Sequence, residues 1–187
     1  MRVGMIGLGR MGEGMSRRML KAGITVWGYR RNYDKAQETY QKGYVTGVTT
    51  NLESLVSQVK RVETIYGEKS GETIYTKAPG IFQLVIPAEL VEDTLNELLP
   101  LLGEGDIIID HGNSNFKDSR RRAERLAKLG IQFIDCGTSG GVYGLERGYC
   151  LMVGGGNTAV STCAPIFRAL APGITAAART DPHTRAT

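Results

Sequence analysis

The stretch Met1-Arg-Val-Gly-Met-Ile-Gly-Leu-Gly-Arg-Met-Gly-Glu-Gly-Met15 decides the fold of this chain. Its apolar residues Val3 to Ile6 predict a buried strand, and methionines at 11, 15 and 19 recur at the spacing of one face of an amphipathic helix. The glycine turn Gly7-Leu8-Gly9-Arg10-Met11-Gly12 joins the two. The sequence therefore predicts a strand, a tight turn and a helix in direct succession.

The three glycines of this turn have the spacing of a phosphate-binding loop. Gly7 permits the tight turn, Gly9 lets the backbone approach a pyrophosphate, and Gly12 lets the helix pack closely on the strand, so that free N–H groups and the positive end of the helix dipole face the phosphates. A second predicted strand, Ile24-Thr-Val-Trp-Gly-Tyr29, ends at the distance needed to meet an adenosine ribose. We therefore interpret the turn as a dinucleotide site rather than a chance glycine turn.

The residues that end the second strand, Tyr29-Arg30-Arg31-Asn32, favour one dinucleotide over the other. In folds of this kind an acidic residue at this point binds the ribose 2′-hydroxyl of NAD, whereas arginine suits the 2′-phosphate of NADP. The two arginines therefore predict NADP. The alternative is a solvated basic turn that binds nothing.

Strand and helix patterns alternate over the rest of the chain. Further strands are predicted at 43–47, 81–86, 106–110, 131–135 and 149–153, and helices at 33–41, 52–60, 90–99, 116–129 and 157–171. This alternation predicts an α/β fold of the Rossmann type, a doubly wound and mostly parallel sheet with helices on both faces. We expect one domain over residues 1–175, followed by a flexible tail at 176–187.

One segment breaks the alternation. The runs Val62-Glu-Thr-Ile-Tyr-Gly67 and Gly71-Glu-Thr-Ile-Tyr75 share four letters and flank a glycine-bounded connector, which predicts a β-hairpin. We interpret residues 61–79 as an insertion on the sheet and assign no chemistry to it.

Two helices carry patterns that predict which side faces the sheet. The helix after residue 86 is expected to direct five residues inward, namely Leu90, Val91, Leu95, Leu98 and Leu99. The helix at 116–129 is the most charged, and its arginines, Arg120, Arg121, Arg122 and Arg125, are interpreted as a solvated outer face.

Composition narrows the classes of protein. With 41% hydrophobic and 22% charged residues the chain is typical of a globular domain, and it contains neither a signal-peptide pattern nor an apolar run of membrane-spanning length, so we expect a cytoplasmic protein without a membrane partner. Its three cysteines lack C-x-x-C spacing, so neither disulfides nor a metal site is predicted. A net charge of +4 suits a small anionic ligand, and without basic runs interleaved with aromatic residues we expect no nucleic-acid partner.

Three further loops fall at predicted strand ends: Pro87-Ala88, His111-Gly-Asn-Ser114 and Gly137-Thr-Ser-Gly-Gly-Val-Tyr-Gly144. Polar side chains flanked by glycine are typical of a substrate platform, although turn chemistry alone also selects them. Gly137-Thr-Ser139-Gly-Gly141 also matches a G-x-S-x-G nucleophile elbow, but the only later histidine is His183 in the expected tail, so we do not favour a hydrolase.

With these motifs in hand, the chain resembles the decarboxylating 6-phosphogluconate dehydrogenases, within the wider β-hydroxyacid dehydrogenase group. Met5-Ile-Gly-Leu-Gly-Arg-Met-Gly12 is similar to the cofactor signature of the group. Asp110-His-Gly-Asn-Ser-Asn115, Gly137-Thr-Ser-Gly-Gly141 and Leu145-Glu-Arg-Gly-Tyr-Cys-Leu-Met152 resemble the narrower family. The resemblance covers residues 1 to about 175, interrupted near 61–79.

The resemblance implies oxidation of the C3 hydroxyl of 6-phosphogluconate by hydride transfer to NADP, followed by loss of carbon dioxide to give ribulose 5-phosphate in the pentose phosphate pathway. It implies that residues Gly7 to Gly12 hold the pyrophosphate, that Arg30, Arg31 and Asn32 hold the 2′-phosphate, and that Ile86, Pro87 and Ala88 line the other side of the cofactor. Asn113 would contact cofactor and substrate, and Ser139, Gly140 and Gly141 would bind the sugar acid.

The sequence departs from the family at two points. The family usually has glycine where His111 stands, so His111 is either a passive loop residue or a new proton carrier. The family's large helical domain, with its catalytic lysine in a Lys-x-x-His-Asn motif and its glutamate acid, is absent from this sequence, so we name no catalytic residue. We expect the chain alone to bind cofactor better than it turns over substrate, and a homodimer only with that domain. Two alternatives stay open: a non-catalytic NADP-binding module, and a dehydrogenase of another small β-hydroxyacid.

Overall fold

A computed structural model of the chain describes residues 1–60, 78–174 and 176, together with the backbone of two short strands at 63–66 and 73–76. The strands are β1 Arg2–Ile6, β2 Thr25–Tyr29, β3 Gly47–Thr49, β4 Glu63–Tyr66, β5 Thr73–Thr76, β6 Ile81–Leu84, β7 Ile107–Asp110, β8 Gln132–Ser139 and β9 Cys150–Gly155. The helices are α1 Arg10–Lys21, α2 Tyr33–Gln41, α3 Leu52–Val59, α4 Ala88–Leu98, α5 Phe116–Ala127, α6 Gly144–Arg147 and α7 Asn157–Leu170.

Seven of the strands form one twisted sheet in the order β3-β2-β1-β6-β7-β8-β9. The first six run parallel to one another, and β9 pairs antiparallel with β8. Because the chain moves outward from β1 in one direction and from β6 in the other, the strand order reverses between these two strands, and their carboxyl ends open a crevice. The predicted doubly wound, mostly parallel sheet is confirmed.

Helices cover both faces of the sheet and bury an apolar core on each. On one face α1 contributes Met15 and Met19, and α7 contributes Ile166 and Leu170, all fully buried. The other face is covered by α3, α4 and α5, whose buried residues are Leu52, Leu55, Val56, Val59, Val91, Leu95, Leu98 and Leu126. The methionine stripe of α1 is thus the core face that its spacing predicts.

Three local expectations are corrected. The strand expected at 43–47 is β3, which starts at Gly47 because its residues pair with Trp27 to Tyr29 of β2. The loop expected from Gly137 begins as strand, since β8 continues to Ser139 while it pairs with β9. Leu90 does not face the sheet; it is 48% exposed.

The predicted hairpin segment forms two strands that pair only with each other. Ile65 of β4 stands opposite Ile74 of β5 in an antiparallel register, and this pair is separate from the seven-stranded sheet. The connector between the strands and the tail at 177–187 lie outside the described residues. That residues 61–79 are an insertion remains a prediction.

Within the described ranges no helix combines the length and the apolar character needed to cross a membrane.

Candidate functional site

A cavity of about 710 Å³ opens where the carboxyl ends of β1, β2 and β6 meet the turn before α1 and one side of α4. This is the crevice that the reversal of strand order creates. Its lining combines the glycine turn, the end of β2 and one face of α4: Ile6, Gly7, Leu8, Gly9, Tyr29, Arg30, Arg31, Ile86, Leu90, Asp93, Thr94, Asn96 and Glu97.

Two glycines of the turn are required by packing. Gly7 has φ +101°, a left-handed conformation, and a β-carbon there would collide with the carbonyl oxygen of Val85. A β-carbon at Gly12 would collide with the carbonyl oxygen of Gly7, so α1 packs against the turn with no room for a side chain. These two residues bring the amino-terminal end of α1 to the cavity.

Gly9 differs from its neighbours because the space beside it is empty: a β-carbon there would have no heavy atom within 4 Å. Gly9 is also the N-cap of α1, and the first hydrogen bond of this helix runs from the Glu13 N–H to the Gly9 carbonyl at 2.9 Å. The N–H groups of Arg10, Met11 and Gly12 therefore have no partner within the helix. An open space beside unpaired N–H groups at a helix start is suited to an anion.

The two arginines after β2 are held differently. Nη1 of Arg30 lies 3.3 Å from Oε1 of Glu13 and 3.2 Å from Oγ1 of Thr39, which fixes the side chain between α1 and α2. The side chain of Arg31 is 76% exposed at the cavity. Asn32 caps α2, its Oδ1 accepting the Lys35 N–H at 2.9 Å. Of the three residues predicted to bind a 2′-phosphate, Arg31 is thus the one with a mostly exposed guanidinium, which contacts Glu97 and Tyr29 across the cavity.

The opposite wall of the cavity is one face of α4. Ile86 lines the cavity, Pro87 is the N-cap of α4, and Ala88 is its first residue. The motifs of the sequence did not predict four of the residues that follow on this wall: Leu90, Asp93, Thr94 and Glu97. Their spacing of three and four residues marks a second helix face, opposite the buried residues of the same helix, and this spacing was the available signal.

Hydrogen bonds fix the conformation of the loop after β7. Oδ1 of Asp110 accepts the Gly112 N–H at 2.8 Å, and Oδ2 accepts the Ser114 hydroxyl at 2.7 Å. Asn113 has φ +53°, and its amide pairs with the backbone of Thr138, accepting its N–H at 2.9 Å and donating to its carbonyl at 3.1 Å. The loop is therefore joined to the end of β8.

This join brings Asn113 beside the predicted substrate residues. Ser139 ends β8 and is exposed, and Gly140 and Gly141 follow with φ +138° and +48°. Each polar atom of the Asn113 amide keeps one further hydrogen-bonding position after its bond to Thr138. The contacts of these four residues with a ligand remain predictions.

His111 lies behind the loop, buried to 2% exposure. Its Nδ1 is 2.9 Å from Oγ1 of Thr138, and its Nε2 is 3.1 Å from Oε1 of Gln83. Burial lowers the pKa of His111 to about 3, so the ring is neutral at pH 7. Because Oε1 of Gln83 only accepts, Nε2 carries the proton, and Nδ1 shares the single hydroxyl proton of Thr138 with the Cys136 carbonyl, which lies 2.9 Å from Oγ1 of Thr138. Through these contacts His111 connects the end of β7 to β6 and β8. They favour a structural role for His111 over a role as a proton carrier.

One arginine of α5 departs from the expected solvated face. The side chain of Arg122 is 5% exposed and lies 3.3 Å from Oδ2 of Asp110 and 3.1 Å from Oε2 of Glu92. Arg121 and Arg125 are more exposed and also pair with Glu92. Burial acts to raise the pKa of Glu92, but the hydrogen bonds from Arg122 and Arg121 outweigh it and leave that pKa lowered. Arg122 therefore links α4, which lines the cavity, to the loop after β7.

No group of three or more potential metal ligands occurs in the part of the chain that the structure describes. The nucleophile elbow gains no support either. Ser139 is the exposed last residue of β8 rather than a residue of a strained strand-to-helix turn, and His183 lies outside the described residues.

Comparison with known proteins gives consistent results. A family model described as the NAD binding domain of 6-phosphogluconate dehydrogenase matches residues 2–178. The chain is 38% identical over 172 residues to the decarboxylating 6-phosphogluconate dehydrogenase of Candida albicans, covering 90% of this chain and 30% of that protein. It is 35% identical over 171 residues to the enzyme of the same name from Haemophilus influenzae, covering 90% of this chain and 32% of that protein. The chain spans between 30% and 50% of the length of its curated relatives.

Solved structures share the fold. The 6-phosphogluconate dehydrogenase of Plasmodium falciparum superimposes with a TM-score of 0.78 at 25% identity, over 94% of this chain and 35% of that one. A 3-hydroxyisobutyrate dehydrogenase from Salmonella typhimurium superimposes with a TM-score of 0.71 at 22% identity, over 91% of this chain and 53% of that one.

Proposed function

This chain belongs to the family of NAD-binding domains of 6-phosphogluconate dehydrogenase, and from that premise we propose that it binds NADP in the cavity at the carboxyl edge of its sheet. We propose further that it serves the oxidative decarboxylation of 6-phosphogluconate to ribulose 5-phosphate. The observation that carries the cofactor proposal is the open space at Gly9 beside the unpaired N–H groups of α1, with the exposed guanidinium of Arg31 at the same cavity.

The geometry supports binding of two parts of the cofactor, the pyrophosphate and the adenosine end, at two different places in the cavity. The pyrophosphate lies against the turn from Gly7 to Gly12, where backbone N–H groups and the helix dipole favour negative charge. The adenosine end lies toward β2, where Arg31 pairs with the 2′-phosphate by charge-assisted hydrogen bonds. The P. falciparum relative has been solved in complex with NADP+ and with 6-phosphogluconate, which supports the same ligands here.

The substrate part of the proposal rests on the platform beyond β7 and β8. Asn113 is held at its position by Thr138, and Ser139, Gly140 and Gly141 present a hydroxyl and backbone N–H groups at the same edge of the sheet. Such groups suit the carboxylate and hydroxyls of a sugar acid. Asn113 lies between this platform and the crevice, so it is the residue proposed to contact both ligands.

The role that we assign to this chain is to bind the cofactor and the substrate and to orient them toward each other. In the proposed reaction the C3 hydrogen of the sugar acid leaves as hydride to the nicotinamide while the C3 hydroxyl loses its proton to a base, and the resulting β-keto acid loses carbon dioxide. His111 is buried, neutral and bonded on both ring nitrogens, so it is not proposed as that base. No catalytic residue is proposed within the described part of the chain.

A second candidate function is a non-catalytic NADP-binding module. It is favoured by the lining of the cavity, which includes arginine but no lysine among the described residues. Action on another small β-hydroxyacid is a third candidate. A cytoplasmic location and a homodimer that needs a further helical domain stay predictions.

Isothermal titration calorimetry with the 187-residue chain tests the cofactor proposal. We expect NADP+ to bind more tightly than NAD+, and Arg31→Ala to weaken NADP+ by about tenfold or more while NAD+ changes by less than about twofold, because a charge-assisted phosphate contact contributes ~1.5–3 kcal/mol. Arg121→Ala, an exposed arginine outside the cavity, is the matched control. Equal losses for both cofactors would contradict the role given to Arg31.

NADPH formation from 6-phosphogluconate, followed by absorbance, tests the reaction. Turnover by the chain alone at the rate of whole enzymes would exclude the non-catalytic module. Binding of NADP+ without turnover would favour it, and adding other β-hydroxyacids to the same assay tests the third candidate.

A further inference from the structure

We propose that Glu97 tunes the choice between NADP and NAD by competing with the cofactor for Arg31. This inference rests on the proposed function and concerns the same cavity. Nη2 of Arg31 lies 3.2 Å from Oε1 of Glu97, and both residues line the cavity from opposite walls. Nε of Arg31 also donates to the Tyr29 hydroxyl at 3.3 Å. Two of the three guanidinium nitrogens thus have partners in the protein, and a phosphate that binds through them has to replace these partners.

The pair is open to exchange. The side chains of Arg31 and Glu97 are 76% and 52% exposed, so water can replace either partner and the ion pair forms and breaks at little cost. The backbone of Glu97, in contrast, is fixed. Its neighbours on α4, Leu95 and Leu98, are fully buried against the sheet, so the carboxylate can move only by rotation of its own side chain.

Arg30 cannot take over the role of Arg31 without breaking a different contact. Its guanidinium is only 27% exposed and is held by Glu13 and Thr39, which themselves share a hydrogen bond of 3.0 Å. Arg31 is therefore the arginine for which the Glu97 carboxylate and a 2′-phosphate compete.

The consequence differs between the two cofactors. A 2′-phosphate carries close to two negative charges and has to replace Glu97 on Arg31. The 2′-hydroxyl of NAD is neutral and does not need the guanidinium. Glu97 therefore lowers the affinity for NADP and leaves the affinity for NAD nearly unchanged, which narrows the preference that the arginine creates.

The test is a double-mutant cycle on cofactor affinity with the whole chain, using Glu97→Gln, Arg31→Ala and the double variant. Titration with NADP+ and NAD+ gives the dissociation constants. We expect Glu97→Gln alone to tighten NADP+ by about two- to fivefold, the range set by an exposed ion pair, with NAD+ changed by less than about 1.5-fold. In the Arg31→Ala background the same change should leave NADP+ affinity unaltered.

Two matched variants separate pairing from general charge. Asp93→Asn removes a carboxylate of the same cavity that pairs with neither arginine in the described residues, and Asp118→Asn breaks an exposed ion pair on α5 outside the cavity. Both should change the ratio of NADP+ to NAD+ affinity less than Glu97→Gln does.

The outcomes distinguish this inference from the proposed function. If the unaltered chain does not bind NADP+ at all, the proposed function fails and this inference fails with it. If NADP+ binds but Glu97→Gln has no effect, or has the same effect with and without Arg31, or matches Asp93→Asn, the competition is refuted while the proposed function stands.

Discussion

Gly9 and Gly12 lie three residues apart in one turn, yet a methyl group has different consequences at each. At Gly12 it would meet the carbonyl oxygen of Gly7, whereas at Gly9 it would enter open space. We expect Gly12→Ala to lower the free energy of unfolding by about 1–3 kcal/mol, as overpacking does, and Gly9→Ala to lower it by about 1 kcal/mol or less, the cost of alanine at an N-cap. Urea denaturation measures both.

Cofactor affinity provides a separate test of the role proposed for Gly9. Gly9→Ala should weaken NADP+ by about tenfold or more, because its methyl group would occupy the space assigned to the pyrophosphate. A Gly9→Ala variant that binds like the unaltered chain would show that the phosphates lie elsewhere.

His111 should make the stability of the protein sensitive to acid. Its pKa is about 3 in the folded chain against about 6.5 when unfolded, so between these values the unfolded state binds more protons and stability falls as the pH falls. At pH 5 the loss relative to pH 7 is about 2 kcal/mol. The measurement is the free energy of unfolding at several pH values for the unaltered chain and for His111→Asn, which cannot titrate.

The comparison uses the slope and not the absolute stability, since Asn leaves unfilled space at this buried position. Parallel pH profiles for the two proteins would mean that the pKa of His111 is the same in the folded and unfolded chain, and they would contradict the lowered pKa.

At the scale of elements, Arg122 joins α5 to β7 and α4. Arg122 and Asp110 are nearly fully buried, with exposures of 5% and 0%. Arg122→Met would leave the Asp110 carboxylate without its cation, and we expect a loss of about 3–5 kcal/mol in the free energy of unfolding. Arg121→Met is the matched control, because Arg121 is 63% exposed and should contribute less than about 0.5 kcal/mol. Similar losses in the two variants would refute the distinction.

Helix starts are elements that sequence alone predicts well. Asn51 accepts the Ser54 N–H at 2.7 Å, which is the cap that its position before an apolar run predicts. The inner and outer faces of α5 were harder to predict, because its seven closely spaced charged residues give no local signal for which arginine meets a buried carboxylate twelve residues earlier.

At the scale of the whole molecule, the two residues that flank the segment 61–79, Lys60 and Gly80, lie close together. A β-carbon on Gly80 would lie 3.0 Å from Cγ of Lys60, and Asp106 bonds to both Lys60 Nζ and Gly80 N–H. We expect replacement of residues 62–77 by a short glycine-serine link to leave NADP+ affinity within about twofold, because β4 and β5 form a sheet separate from the one whose edge carries the cavity. Calorimetry measures the affinity.

Circular dichroism and thermal unfolding would show whether the shortened chain keeps its fold. A chain that loses cooperative unfolding would mean that the hairpin segment is part of the domain, in contradiction to its interpretation as an insertion.

The sequence by itself determined the strand, turn and helix at the amino terminus, the alternation that gives a doubly wound sheet, and the loops that lie at its carboxyl edge. These features depend on local spacing, on glycine conformation and on apolar periodicity, which act over a few residues. The positions of Gly7, Gly9 and Gly12 each have the steric reason that the motif implies.

Only the tertiary structure decided which side chains meet. It placed Glu97 within hydrogen-bonding distance of Arg31, 66 residues away in the sequence, and His111 beside Thr138, 27 residues away. It also buried the ion pair of Arg122 and Asp110. The physical reason is that burial and ion pairing depend on which strand ends become neighbours, and strand order in a parallel sheet is set by crossovers that no local pattern records. The charge of a residue was therefore known from the sequence, but its partner was not.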